Sequence, residues 1–155
     1  MLLSFSIAAS WMLIATAALV RKSSRQDFAF VFLLSNFINT NVYYWSSQTL
    51  HIFEISKDPA SFVSFTLLQS AIVPLFIAVT ANGAALVRTV SRRVHIHVAS
   101  IAFLIGLEGL SHYLRIVIYN EVHVFSWLAG YRILLYILPL ITLRYFRRMC
   151  IHART

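Results

Sequence analysis

Glu108, His112 and Arg115 follow one another at spacings of four and three residues, which places a carboxylate, an imidazole and a guanidinium on one face of a helix. Tyr119 continues that face toward one end and His97 toward the other. A carboxylate beside a histidine can exchange protons, so the set is suited to acid and base work or to holding a small molecule or ion. Arg132, on the following apolar segment, supplies a second cation. The alternative is that these groups do no chemistry and hold helices to one another through ion pairs and hydrogen bonds.

The segments that carry them are apolar. Of 155 residues, 59% are hydrophobic and 12% are charged, against roughly 25% charged in an ordinary soluble domain. The excess comes in runs of about 20 residues, long enough to cross a hydrocarbon layer. The fold class expected is all-α: a single domain over residues 1–155, built as an integral membrane bundle of about five transmembrane helices. Their expected spans are 2–20, 28–50, 62–87, 97–119 and 125–143. Asp27 suits the start of the second, and Pro74 removes a hydrogen bond inside the third. Pro139 lies in the fifth, and the connection from His51 to Ser61 reads as a short polar turn.

Charge orients the bundle. Arg21, Lys22 and Arg25 follow the first span, Arg88, Arg92 and Arg93 follow the third, and Arg144, Arg147, Arg148 and Arg154 follow the fifth. These ten share one side when the number of spans is odd, and the other side has Lys57 alone. An excess of Lys and Arg marks the cytoplasmic side, so the N-terminus is expected outside and the C-terminus in the cytoplasm. The net charge of +8 is thereby read as topology beside anionic lipid, and nucleic acid is not an expected partner. The first apolar run has its positive charge after it rather than before it, so it reads as a retained helix and not as a signal peptide.

Depth then selects the site. Glu108 lies about ten residues from the outer end of its segment, roughly 15 Å of helical rise, which is close to the midplane. Arg132 lies at a similar depth in the antiparallel neighbour, so an ion pair between them is reachable, with Arg115 free to reach water. A central charge costs roughly 2.5 to 3.5 kcal/mol on insertion, and each Leu or Ile returns only about 0.3 to 0.6. The fourth segment should therefore need its partner. Asn36, Asn39, Thr40, Tyr43 and Ser47 form a polar stripe on the second segment, and Gln69 lies at matching depth on the third. The expected buried polar or ligand site, opening outward, is Asn39, Tyr43, Gln69, Glu108, His112 and Arg132. For the asparagine stripe, hydrogen bonding between helices is the favoured role; for Glu108, His112 and Arg132 both roles stay open.

Other signatures are missing. No serine nucleophile motif, phosphate-binding glycine loop or dinucleotide fingerprint occurs. Glu108 and His112 make half of a helical metal site without a second half, so neither a metal nor another cofactor is expected. The single cysteine, Cys150, excludes an intramolecular disulfide. Gly106 and Gly109, three apart, are expected to permit close helix packing. His95 and His97, beside Arg92 and Arg93, are expected to be solvated or to face headgroups.

The stretch Leu34-Ser35-Asn36-Phe37 with Tyr43-Tyr44-Trp45, then Glu108, His112 and Tyr119, and Trp127 before an apolar run ending in Arg144-Tyr145-Phe146-Arg147-Arg148, resembles an uncharacterised family of small multi-pass membrane proteins of endospore-forming Firmicutes. The resemblance implies a bacterial cytoplasmic or spore membrane and carries over no catalytic or binding residue. The expectation is a non-enzymatic accessory, sensory or structural component of a cell membrane, whose partners are membrane lipids and a membrane protein or a second copy. The alternatives are a small transporter or proton-coupled carrier and an intramembrane enzyme acting on lipid.

Overall fold

In the computed structural model, which describes residues 2–20, 24–49, 51, 53–55, 58–114, 117–119 and 123–152, the chain is essentially all helical. Helix α1 spans Leu2–Val20 and α2 spans Arg25–Tyr44, the latter running on as a π-helical turn over Trp45–Thr49. Helix α3 covers Pro59–Leu86, with a second π-helical turn over Leu68–Ile72. Helices α4 and α5 cover Val90–Tyr113 and His123–His152. Strands β1 (Phe53–Ile55) and β2 (Val117–Tyr119) pair antiparallel, Phe53 facing Tyr119 and Ile55 facing Val117. This ribbon ties the α2–α3 connection to the α4–α5 connection at one end of the bundle. Arg21, Lys22, Lys57, Arg115, Asn120 and Arg154 lie outside the described residues, as do the side chains of Glu54, Tyr119 and Cys150.

Local chemistry sets the helix starts. Ser24 caps α2 by accepting the Asp27 amide on its Oγ, and Asp27 sits favourably in the first turn. Asp58 caps α3 by accepting the Ser61 amide on Oδ2 at 3.0 Å, and Pro59 takes the first helical position, where a missing N–H costs nothing. The third helix therefore begins at Pro59 and not at Phe62, inside the stretch expected to be a loop.

Three other boundaries differ from expectation by more than one helical turn. Helix α4 starts at Val90, seven residues before His97, because Arg92 and Arg93 are good helix formers once outside an apolar layer. It ends at Tyr113, and the expected helix up to Tyr119 is instead strand over Val117–Tyr119, a β-branched and aromatic run. Helix α5 continues from Leu143 to His152 because its last turns pack on α2: the Phe146 ring stacks on Phe30 at 4.3 Å, and Arg147 pairs with Asp27 at 2.8 Å.

Along the middle of α2, polar residues face inward and apolar ones outward. Helix α2 buries Ser35 and Asn39 and exposes Leu33 (62%) and Phe37 (68%). Among the described residues three helices are long and apolar enough to cross a membrane, Pro59–Leu86, Val90–Tyr113 and His123–Met149, and Ile7–Thr16 forms a shorter apolar stretch of α1. Helix α2 packs on both α3 and α5, around a core in which Val31, Leu68, Ile77, Leu104 and Leu128 are wholly buried. Gly106 and Gly109 do not serve close packing: a Cβ at Gly106 would meet nothing within 4 Å, and one at Gly109 would meet only the Phe125 ring at 3.9 Å.

Candidate functional site

The buried faces of four helices meet in a polar network. On α4 the covered positions are Ser100, Leu104, Glu108 and Ser111, a stripe with steps of four, four and three that follows the helical repeat. On α2 they include Ser35, Asn39 and Tyr43, one turn apart. Helix α5 contributes Tyr131 and Arg132, and α3 contributes Gln69 from its π-helical turn.

Glu108 and Arg132 form the ion pair expected from their depth. Arg132 Nε and Nη2 donate to Glu108 Oε2 at 3.0 and 2.7 Å, and both side chains are fully buried. The Tyr43 hydroxyl donates to the same oxygen at 2.7 Å. The guanidinium goes on to donate from Nη1 to Asn39 Oδ1 at 3.2 Å and from Nη2 to Gln69 Oε1 at 3.2 Å. Its carbon lies 5.1 Å from the centre of the Tyr43 ring, within cation–π range. A buried cation thus has acceptors on three other helices, which is what makes its burial tolerable.

Pro74 shapes the side of the network that α3 supplies. In the π-helical turn the Val73 amide bonds back to the Leu68 carbonyl, five residues away. By the same wide pattern the Gln69 carbonyl would be served by residue 74, but proline has no N–H. Asn39 fills the gap, donating from Nδ2 to the Gln69 carbonyl oxygen at 2.8 Å and to Gln69 Oε1 at 2.8 Å. With Oε1 receiving both Asn39 and Arg132, the orientation of the Gln69 amide is set by its partners. Its Nε2 is buried with no hydrogen-bond partner among the described residues, as is the Ser35 hydroxyl.

Five of the six expected residues, Asn39, Tyr43, Gln69, Glu108 and Arg132, come together. His112 does not join the buried set: it is exposed in the last turn of α4, because the covered stripe advances from Glu108 by three residues to Ser111 and not by four. The expected carboxylate and imidazole pair is therefore replaced at the centre by a carboxylate held by a guanidinium and a phenol. Tyr131 was not expected there. Its hydroxyl donates to Asn39 Oδ1 at 3.1 Å, and its ring stacks on Trp127 one turn earlier. The i, i+4 aromatic pair preceding Arg132 was the available signal.

Nor does the set line an open interior, since Asn39, Glu108 and Arg132 are all 0% exposed. The space lies to one side: a cavity of about 310 Å³ between α2 and the start of α3, walled by Thr40, Tyr44, Phe65 and Thr66, with Tyr43 and Gln69 on its network side. Of the remaining stripe, Thr40 bonds to Asn36 on its own helix at 3.2 Å. His97 Nδ1 lies 2.8 Å from the Tyr136 hydroxyl, and His95 is exposed.

No protein-family model, no curated protein and no solved structure matches this chain.

Proposed function

We propose that the chain is a five-span protein of a cell membrane, with its N-terminus outside and its basic end in the cytoplasm, acting as a non-enzymatic structural or accessory component. The buried network is the clamp that fixes its helices. The observation that carries this reading is the closure of the ion pair: Glu108 and Arg132 are wholly buried, and Arg132 is bonded to Glu108, Asn39 and Gln69 within the protein. A carrier needs its charged site to reach water, and an enzyme needs it to reach substrate. The count of spans draws on the apolar outer face of α2 and on the 19-residue length of α1, roughly 28 Å at 1.5 Å per residue.

Thermal stability of purified Glu108→Gln tests the clamp. Clear destabilisation supports it, and a neutral or stabilising effect overturns it, since a carboxylate kept at a cost to stability points to function. For topology, Cys150→Ser gives a cysteine-free background. Single cysteines at Thr89 and Ser61 should then label from opposite sides with an impermeant maleimide.

A second reading, a small transporter or proton-coupled carrier, is favoured by the cavity of about 310 Å³ whose wall includes Tyr43, one hydrogen bond from Glu108. Solute or proton flux in liposomes that disappears in Glu108→Gln while the fold persists would select it over the clamp.

A further inference from the structure

The basic end of the bundle holds a second cavity, of about 260 Å³, where the end of α3, the beginning of α4 and the last turns of α5 converge. Its polar wall is Arg93, His97, Arg144 and Arg147, and its apolar wall includes Ala81 and Leu143. The volume is just below the roughly 300 Å³ at which drug-sized pockets begin, so it has room for a headgroup and not for a whole lipid.

The charges in this wall are only partly compensated. Arg147 Nε donates to Asp27 Oδ2 at 2.9 Å and Nη2 lies 2.8 Å from the same oxygen, an ion pair that neutralises that guanidinium and holds it in place. Arg93 donates from Nη2 to the Val87 carbonyl at 2.9 Å, a neutral partner that positions the cation and leaves its charge standing. Arg144 pairs with no carboxylate among the described residues. His97 has Nδ1 engaged by Tyr136, so only Nε2 is left to offer a ligand. Among the described residues, Asp58 caps the start of α3 at the ribbon end and Glu108 lies at the centre, so Asp27 is the one carboxylate described at the basic end. Two guanidinium forks and an imidazole around one small space match the several oxygens and the multiple charge of a phosphoryl group.

We propose that this cavity binds a phosphoryl anion on Arg93, His97 and Arg144, supplied by the headgroup of an anionic phospholipid or by soluble phosphate. Basic pockets between membrane helices on the cytoplasmic side are suited to such headgroups. The apolar wall of Ala81 and Leu143 gives the glycerol end of a lipid a surface to lie on. The site does not depend on the number of spans.

The test uses the purified full-length protein in a zwitterionic detergent, with native mass spectrometry following added phosphatidylglycerol and melting followed with added inorganic phosphate. Saturable binding of one phosphatidylglycerol, weakened at least about tenfold in the Arg93→Gln/Arg144→Gln protein, is the expected result. Arg88→Gln, an exposed arginine outside the cavity wall, should weaken binding at most about fivefold, the effect of one surface charge. Stabilisation by inorganic phosphate that is lost in the double variant identifies the soluble source. Binding of the lipid without such stabilisation identifies the headgroup. Equal binding by parent and double variant, or an equal loss in Arg88→Gln, overturns the site. Melting without added anion reports folding, and if the double variant is unfolded, Arg144→Gln alone is read by the same criteria.

Discussion

Arg132 reaches Glu108 through one carboxylate oxygen, Nε at 3.0 Å and Nη2 at 2.7 Å both pointing to Oε2, with no exposure of either side chain. An attachment of this kind is costly to break from one side, because the surviving charge stays buried without its counterion. Glu108→Gln and Arg132→Ala should each destabilise the protein by about 3 to 5 kcal/mol. The double variant should fall short of the sum by more than about 1 kcal/mol. Unfolding in mixed micelles measures the cycle, and additivity would remove the ion pair from the account of stability.

Tyr43 donates to that same oxygen at 2.7 Å. Tyr43→Phe keeps the ring and its packing on Phe65 and Tyr131 but deletes a hydrogen bond to a charged group. The expected loss is about 1.5 to 3 kcal/mol. It should shrink in the Glu108→Gln background, where the acceptor is neutral.

Asn39 and Pro74 should be coupled although 35 residues separate them. Asn39→Ala leaves the Gln69 carbonyl, the Tyr131 hydroxyl and Arg132 Nη1 without their acceptor or donor. A loss of about 1 to 3 kcal/mol is expected for a single orphaned group, so the whole effect should reach the upper part of that range or exceed it. Pro74→Ala restores an N–H that can serve the Gln69 carbonyl. The cost of removing Asn39 should therefore be smaller in that background, and an unchanged cost would refute the link between the proline and the π-helical turn.

Ser35 offers an effect of opposite sign. Its hydroxyl is fully buried with no hydrogen-bond partner among the described residues, and Ser35→Ala removes a desolvated group without opening a sizeable cavity. Stabilisation of about 1 kcal/mol is expected, read as a higher melting temperature.

Gly106 is exposed on α4 and faces open space. Gly106→Ala should be tolerated and raise stability by up to about 1 kcal/mol through helix propensity. A marked loss would restore the close packing that the glycine spacing suggested.

The amino-acid sequence by itself determined what depends on local composition and periodicity. Apolar runs set the helical, membrane-length character of α3, α4 and α5, and clustered arginines set the basic end. The similar depth of Glu108 and Arg132 on neighbouring segments made their pairing reachable, because an antiparallel pair with a short connection has few alternatives. The Asp58-Pro59 start of α3 was also legible, as a cap followed by proline, though the polar stretch around it masked the signal. Tertiary structure decided what depends on the rotation of each helix about its axis and on its register against the others. A step of three or four residues from Glu108 is equally helical, and only packing selected Ser111 over His112. The assignment of Asn39 to the Gln69 carbonyl needed a π-helical turn, a proline five residues on and α2 lying alongside, three conditions that no single segment carries. The joining of Phe53–Ile55 to Val117–Tyr119 likewise rests on a contact between distant connections, whose strand pairing only exists once the helices that bear them are side by side.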